Sequence, residues 1–476
     1  VWASVGSAQE VADPPERALR EETAPTVAVA PVTLEALLKR ASRHAASLSV
    51  QDAALKNAQW KQTRADWAWT PKIEALSTLA PVPANTDPNR LGANLDEITA
   101  LNIGPFFRQT IRIIVPIYTF GRMDGAQELA EVNVGNARLE RKKAELELQL
   151  QVKRAYYGLR LARAFGAMLE EGQSLIKERL VKMEEEREFG EADFDIKDLR
   201  KLQIFDADID ARALDNKKLV TLALAGLEYL TGDAFALEQF EAFDESTPLV
   251  ELDTLDHYIE IGKRERPELE QLEMAVKARR LQKDLEMSEF FPLLFVTGDL
   301  TYGWSTERIA PQPVCRVPAE GAECQFTTDL FARPFSNPYD QFTVGFALGL
   351  RWNIDILDQY GQYKEAEASL EQTEAQRRQA VGAMELELKK LYTDAANARE
   401  RVNIQRRRLD AARRWRDQFG LSAQSGGAKM SGAIEPLRAY YEARVLYLQS
   451  VHDYLVARAE LAVGLGLAEL PARAAD

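Results

Sequence analysis

From Gln341 to Trp352 a large apolar side chain stands at every second position: Phe342, Val344, Phe346, Leu348, Leu350 and Trp352. Gln341, Thr343, Gly345, Ala347, Gly349 and Arg351 lie between them. A period of two belongs to a strand with one apolar face and one small or polar face. The alternation recurs at Ile111, Ile113, Val115 and Ile117, set against Thr110, Arg112, Ile114 and Pro116. It recurs again at Leu294, Val296, Leu300 and Tyr302, set against Phe295, Thr297, Asp299 and Thr301. A fourth, less regular strand is expected from Lys72 to Ala80. Pro71 and Pro292 stop a helix just before two of these strands, because proline lacks the amide donor and disfavours the α conformation in the preceding residue.

Most of the remaining chain carries a helical period. Met384, Leu388, Leu391, Ala395, Ala398, Val402 and Leu409 form a heptad seam bordered by charge, narrow enough for coiled-coil packing. Leu150, Tyr157, Leu161, Ala164, Met168 and Leu175 predict a matching seam earlier in the chain. No proline interrupts Asp124 to Glu188, which predicts one helix of about 65 residues, on the order of 100 Å long.

The pattern occurs twice. The segment beginning Thr33-Leu34 lies on the segment beginning Thr254-Leu255 without a gap, matching Leu48 to Leu269, Lys56 to Lys277 and Pro71 to Pro292. Gly125 in "RIIVPIYTFGRMDGAQELAE" then falls on Gly361 in "LGLRWNIDILDQYGQYKEAE". "LEYLTG", ending at Gly232, falls on "LAVGLG", ending at Gly466. The chain therefore reads as a tandem duplication over 32–247 and 248–470. A lead over 1–31, rich in Ala, Glu and Pro and without periodicity, is expected to be disordered, and 471–476 forms a short tail. Each repeat reads as helix, strand, loop, strand, very long helix, turn, helix.

Composition removes several function classes. Charged residues make up 28% of the chain, the mean hydropathy is -0.31 and no run of 18 apolar residues occurs, which excludes a helical membrane protein. A net charge of -14 without a basic patch argues against nucleic acid as partner. His44, His257 and His452 have no cysteine, histidine or paired carboxylate at ligand spacing, and the chain has no phosphate loop, dinucleotide fingerprint or nucleophile elbow. No enzyme activity, metal or cofactor is expected. The only cysteines, Cys315 and Cys324, share one Pro- and Gly-rich segment and form a candidate local disulfide, which implies export to an oxidising compartment.

The strands need a cover for their apolar faces. A covering helix would carry a broad apolar stripe, whereas these helices offer narrow seams, so lipid is the expected cover. Aromatic residues gather at the strand ends, as in interfacial girdles: Trp67, Trp69, Phe290 and Phe291 before the strands, and Tyr118, Phe120, Trp304 and Trp352 at other ends. Four strands cannot close on themselves, and an open edge in hydrocarbon leaves backbone groups unpaired, so several copies must share a barrel. Three copies would supply twelve strands, enough for a wet passage.

Taken in order, the doubled plan, the helix-proline-strand junctions, "VPIYTFGR" leading from strand to long helix and "FGEADFDIKDLRKLQ" at the helical turn resemble the TolC, or outer-membrane efflux protein, family. The resemblance runs from Thr33 to Gly466. It implies a membrane β-barrel plus a long α-helical barrel, built as a homotrimer of tandem-duplicated protomers that give four strands each to a 12-stranded barrel above a periplasmic coiled-coil tunnel. The implied function is an outer-membrane exit duct for a tripartite efflux pump or a type I secretion system. Its partners would be outer-membrane lipid, a periplasmic adaptor (membrane fusion) protein and an inner-membrane transporter.

Residue by residue, the resemblance assigns Glu435 to the ring of carboxylates around the tip aperture and Asp198 to the links that hold the tip shut, with Lys429 the nearest basic partner. Phe189, Gly190, Glu191 and Ala192, with Gly426 and Gly427, would form the adaptor-contacting tip. The chain departs from the family there, having Phe-Gly-Glu-Ala-Asp where a Val-Gly followed by small residues is usual. Phe342, Val344, Phe346, Leu348, Leu350, Ile111, Ile113 and Val115 would face lipid. Cys315 and Cys324 would lie in an extracellular loop over 305–340, the counterpart of a first loop over 81–106. The Phe-rich segment 233–253 would join the belt around the helices, and the absence of a cysteine near the start resembles unlipidated members. The readings weighed against this one are a soluble periplasmic coiled-coil scaffold and, within the fold, a duct dedicated to a secreted polypeptide or a metal ion.

Overall fold

The computed structural model describes residues 31–83, 103–189, 196–244, 247, 249–305, 341–424 and 434–471. Its elements run α1 (Leu34–His44), α2 (Ala46–Asp66), β1 (Lys72–Pro83), β2 (Ile103–Tyr118), α3 (Arg122–Glu188) and α4 (Ile196–Thr231). The same order returns as α5 (Leu255–Glu265), α6 (Pro267–Ser288), β3 (Leu293–Ser305), β4 (Gln341–Arg351), α7 (Ile356–Gln424) and α8 (Ile434–Gly464). Cys315, Cys324, Gly190, Glu191, Ala192, Gly426, Gly427 and Lys429 lie outside the described residues, as does the lead up to residue 30.

The first helix of each repeat is in fact two helices. Ala45 and Arg266 take extended conformations, with ψ near 121° and 120°, and end α1 and α5 one residue before the next helix starts. Pro267 at the first position of α6 accounts for the second break, since proline there forfeits no helical hydrogen bond. The first break has no proline. It lets Leu37, Ala41, Ala45 and Leu48 all point into the cluster around Val152, Tyr156 and Leu159 of α3.

The strands extend further than their alternation indicated. Pro81 to Pro83 and Ile103 to Phe106, expected in the first loop, are paired, with Pro81 opposite Pro105. The chain turns from β2 into α3 through Phe120 (φ 50°) and Gly121 (φ 86°), two successive left-handed residues. The Phe120 ring stacks on Phe291 at 5.1 Å, and the Arg122 guanidinium donates to the carbonyls of Ser288 and Phe291. These contacts hold the end of β2 against the helix-to-strand junction of the second repeat.

The α7 seam is largely buried as its spacing predicts: Met384, Leu388, Ala395, Val402 and Leu409 are covered, and Leu391 and Ala398 are partly covered. The α3 seam is buried only in part. Ala164 and Met168 are covered, but Leu150, Tyr157 and Leu161 are only partly covered and Leu175 is 43% exposed, whereas Leu148, Val152, Tyr156, Leu159, Ala162, Ile176 and Met183, outside the seam, are buried. The cause is that α3 packs against α2, α4, α6 and α8, so its covered positions spread around the helix instead of following one stripe. Among the described residues no helix is long and apolar enough to cross a membrane.

Candidate functional site

The four strands form one antiparallel sheet in the order β1-β2-β3-β4, and the pairing of β2 with β3 joins the repeats. Register sorts the side chains into two faces. Across the first face run the rows Ile73, Ile113, Gly298, Phe346 and Ala75, Ile111, Leu300, Val344, continued by Val115, Val296, Leu348 and by Ser77, Gln109, Tyr302, Phe342, whose Ser77 and Gln109 are its uncharged polar members. No charged residue occupies this face within the strands. It is also open: Phe342, Val344, Phe346, Leu348, Leu350, Ile73 and Leu79 are all exposed, Phe346 by 82%, and Ile113 lies at the border of exposure. Ile111 and Val115 share the face but are partly covered by their neighbours. A contiguous apolar face of this extent does not stay in water.

The opposite face carries the rows Glu74, Arg112, Asp299, Gly345 and Leu76, Thr110, Thr301, Thr343 and Thr78, Arg108, Gly303, Gln341. Arg112 Nε donates to Asp299 at 2.7 Å across the repeat junction. On β4 this face is almost bare of bulk. Gly349 leaves room there for the ring of Phe295, which a Cβ would approach to 2.5 Å unless the ring moved. Exposed aromatics edge the sheet at Trp67, Trp69, Tyr118, Trp304 and Trp352, and Trp352 Nε1 donates to the Phe290 carbonyl at 3.1 Å.

At the far ends of the long helices stand the other sequence-assigned residues. Phe189 caps α3 and is 82% exposed. Glu435 is exposed in the first turn of α8, where the helix dipole favours a carboxylate. Asp198, in the first turn of α4, is largely covered and pairs with Lys201 of its own helix at 3.1 Å. Among the described residues, which do not include Lys429, Asp198 pairs with no residue of the second repeat.

The described link between repeats near this end is one that sequence reasoning missed. Glu171 of α3 lies 3.6 Å from Arg444 of α8 and hydrogen-bonds the Tyr441 hydroxyl. Burial first, and the Glu171 charge second, push the Tyr441 phenol up to about 12. One turn nearer the start of α8, Arg438 is bonded to Glu442 at 2.9 Å and faces Glu435 and Asp208. Those carboxylates raise its pKa, chiefly through the Glu442 bond. Beside these residues α3, α4 and α8 line a partly open cavity of about 270 Å³, with Met168, Ile209, Leu437 and Tyr441 among its walls. Only the Tyr440-Tyr441 pair near the start of α8 hinted at this in the sequence, since a lone glutamate on a long charged helix reads as solvated.

The segment 233–244 crosses α3 at mid-height. Phe240 and Phe243 are buried, Arg160 donates to the Glu241 carbonyl and Arg163 to those of Glu238 and Phe240. Among the described residues no group of His, Cys, Asp and Glu could hold a metal ion.

The family model described as "Outer membrane efflux protein" matches residues 260–467. No curated protein matches the chain. Among solved structures, CusC, described in connection with transmembrane channel formation, aligns with a TM-score of 0.70 at 15% identity over 91% of this chain and 92% of its own. The CmeC outer membrane channel of Campylobacter jejuni aligns at 0.68 and 12% identity, over 91% and 85%. The outer membrane protein VceC of Vibrio cholerae aligns at 0.66 and 15%, over 91% and 96%. At these identities the likeness is one of fold: a long helical body carrying a four-stranded β domain.

Proposed function

We propose, from the match of residues 260–467 to the outer membrane efflux protein family model, that this chain is a channel of that kind, in which three copies close one twelve-stranded barrel in the outer membrane and continue it through the periplasm as a helical tunnel. The observation that carries this reading is the sheet itself: an exposed, mostly apolar face without a charge, backed by a polar face, with outer edges at β1 and β4 that pair with no other strand among the described residues. Lipid covers the first face, water fills the passage along the second, and β4 of one copy pairs with β1 of the next. Exposed apolar side chains along the helices, Ile204, Leu222 and Tyr229 on α4 and Ile404 and Leu421 on α7, give neighbouring copies surface to pack on.

In this reading the protein is a passive exit duct of a tripartite efflux pump or type I secretion system. It makes and breaks no bond. An adaptor engages the tip around Phe189, Gly190, Glu191, Ala192, Gly426 and Gly427, and an inner-membrane transporter delivers the cargo. Three copies of Glu435 around the axis repel one another and attract cations. The Glu171 links to Tyr441 and Arg444 tie α3 to α8 within each copy, so that separating the helix pairs and opening the tip requires breaking them. Asp198 stands beside the tip as a second carboxylate.

The test is the particle mass after extraction. A detergent-dependent particle of three times 53.5 kDa that gives step conductances in planar bilayers is the expected result. A detergent-free soluble monomer or dimer would establish the coiled-coil scaffold instead.

A further inference from the structure

The polar face of the sheet is not electrically balanced. Within the strands it carries Lys72, Arg108, Arg112 and Arg351 against Glu74 and Asp299, an excess of two positive charges in a chain whose net charge is -14. The carboxylates fall together: Glu74 and Asp299 flank Arg112 in one row and satisfy it. Arg108 and Arg351 have no carboxylate within ion-pair distance among the described residues. Each is held instead over an aromatic ring of the same face, Arg108 at 5.1 Å from the centre of Phe106 and Arg351 at 5.5 Å from that of Phe295. Arg108 Nε is shielded from solvent and has no hydrogen-bond partner.

A guanidinium stacked on a ring keeps its charge and most of its donors while losing conformational freedom, an arrangement suited to carboxylate, phosphate or sulfate groups. The two stations stand at different heights. Arg108 lies six positions beyond the Lys72 row toward the loops, and Arg351 four positions on the helix side of it, a separation of roughly 30 Å along the strands.

We propose that Arg108 and Arg351 form two rings of anion-attracting stations inside the barrel, so that the barrel favours anionic solutes while the Glu435 tip favours cations. The inference rests on the duct reading above, because only closure of the sheet turns its polar face into a lumen. The passage then has a polarity, acidic at entry and basic at exit. Anionic groups on a cargo are drawn forward once past the tip.

Reversal potentials under a KCl gradient test this with the reconstituted full chain. In a Glu435→Ala background, which removes the tip ring, the channel is expected to prefer chloride. Adding Arg108→Gln and Arg351→Gln should lower the chloride-to-potassium permeability ratio about threefold, and the corresponding lysine variants should retain it. A second measurement uses the same Glu435→Ala channel: citrate on the loop side should reduce conductance, and a trivalent cation on that side should not. An unchanged ratio in the glutamine variants, or block by the cation alone, overturns the stations and leaves the duct intact. Absence of any step conductance from the wild-type particle overturns the duct, and the stations with it.

Discussion

Gly466 and Glu265 meet so closely that a Cβ on Gly466 would stand 2.4 Å from the Glu265 carbonyl oxygen. Gly466 follows α8 with φ +81°, and Glu265 is the last residue of α5 before the break at Arg266. The first repeat has the same pairing, Gly232 after α4 with φ +77° against His44 at the end of α1, but there the obstacle is an imidazole ring. The left-handed conformation alone costs a non-glycine residue about 1–2 kcal/mol. Gly466→Ala adds a collision with backbone that cannot rotate away. Melting of the detergent-solubilised protein should therefore show Gly466→Ala clearly less stable than Gly232→Ala, whose clash is relieved by turning His44. Equal losses would mean that the α5 break yields as readily as a side chain.

The two long helices differ in how their positions can be read, and a pair of truncations exposes it. Leu388 of α7 is fully buried and fills the space over Gly262 of α5. Leu388→Ala should cost about 2–5 kcal/mol, the usual range for a fully enclosed leucine. Leu175 of α3 occupies an equally regular heptad position yet is exposed, so Leu175→Ala should change stability by less than about 0.5 kcal/mol. Chemical denaturation of both variants, compared by midpoint and slope, checks the contrast. A large loss at Leu175 would show that a neighbouring copy covers it.

What the sequence disclosed follows from which forces act on one side only. The strands were legible because their two faces meet different surroundings, which imposes a strict period of two at Phe342 to Leu350. The α7 seam was legible because that helix buries one stripe. Contacts on several sides of α3 break the stripe up, so that Ala164 and Met168 are buried on it while Leu175 is exposed. The break at Arg266 was signalled by Pro267, whereas the break at Ala45 carries no Pro or Gly and is imposed by packing on α3. Glu171 was invisible as a partner of Tyr441 and Arg444, since nothing local distinguishes it from the other carboxylates of α3. The repeat alignment placed Gly232 and Gly466 in register, and both prove to be left-handed caps.

The Tyr441 phenol supplies a pH signature for the link to α3. Its folded value is raised from the ordinary 10 to about 12, so the unfolded chain ionises first as pH rises. Stability from this group is constant below pH 10 and is lost progressively between pH 10 and about 12. Melting temperatures of wild type and Tyr441→Phe should run parallel below pH 10, with the wild type falling faster above it. Tyr157 and Tyr454 are raised as well, chiefly by burial, and remain in both proteins, so the difference isolates Tyr441. Parallel curves through pH 12 would mean that the phenol is not enclosed against Glu171 in solution.

The crossing segment at mid-height is held by two arginines as well as by its phenylalanines. Arg160 and Arg163 donate to three carbonyls between Glu238 and Glu241, and the Phe243 amide donates back to the Arg160 carbonyl at 3.3 Å. The Arg160 guanidinium also lies 4.6 Å from the centre of the Phe243 ring. Hydrogen bonds from a charged donor contribute roughly 1.5–3 kcal/mol each when removal strands the acceptor. Arg160→Ala with Arg163→Ala should therefore raise local opening of the segment on the order of tenfold or more, read as the rate of chymotryptic cleavage at Phe235, Phe240 or Phe243 under native conditions. Arg40→Ala, which removes an exposed pair with Asp233 at 3.1 Å, should leave cleavage nearly unchanged. Were the double variant as resistant as the wild type, burial of Phe240 and Phe243 alone would hold the segment, and the arginines would serve only to satisfy its backbone.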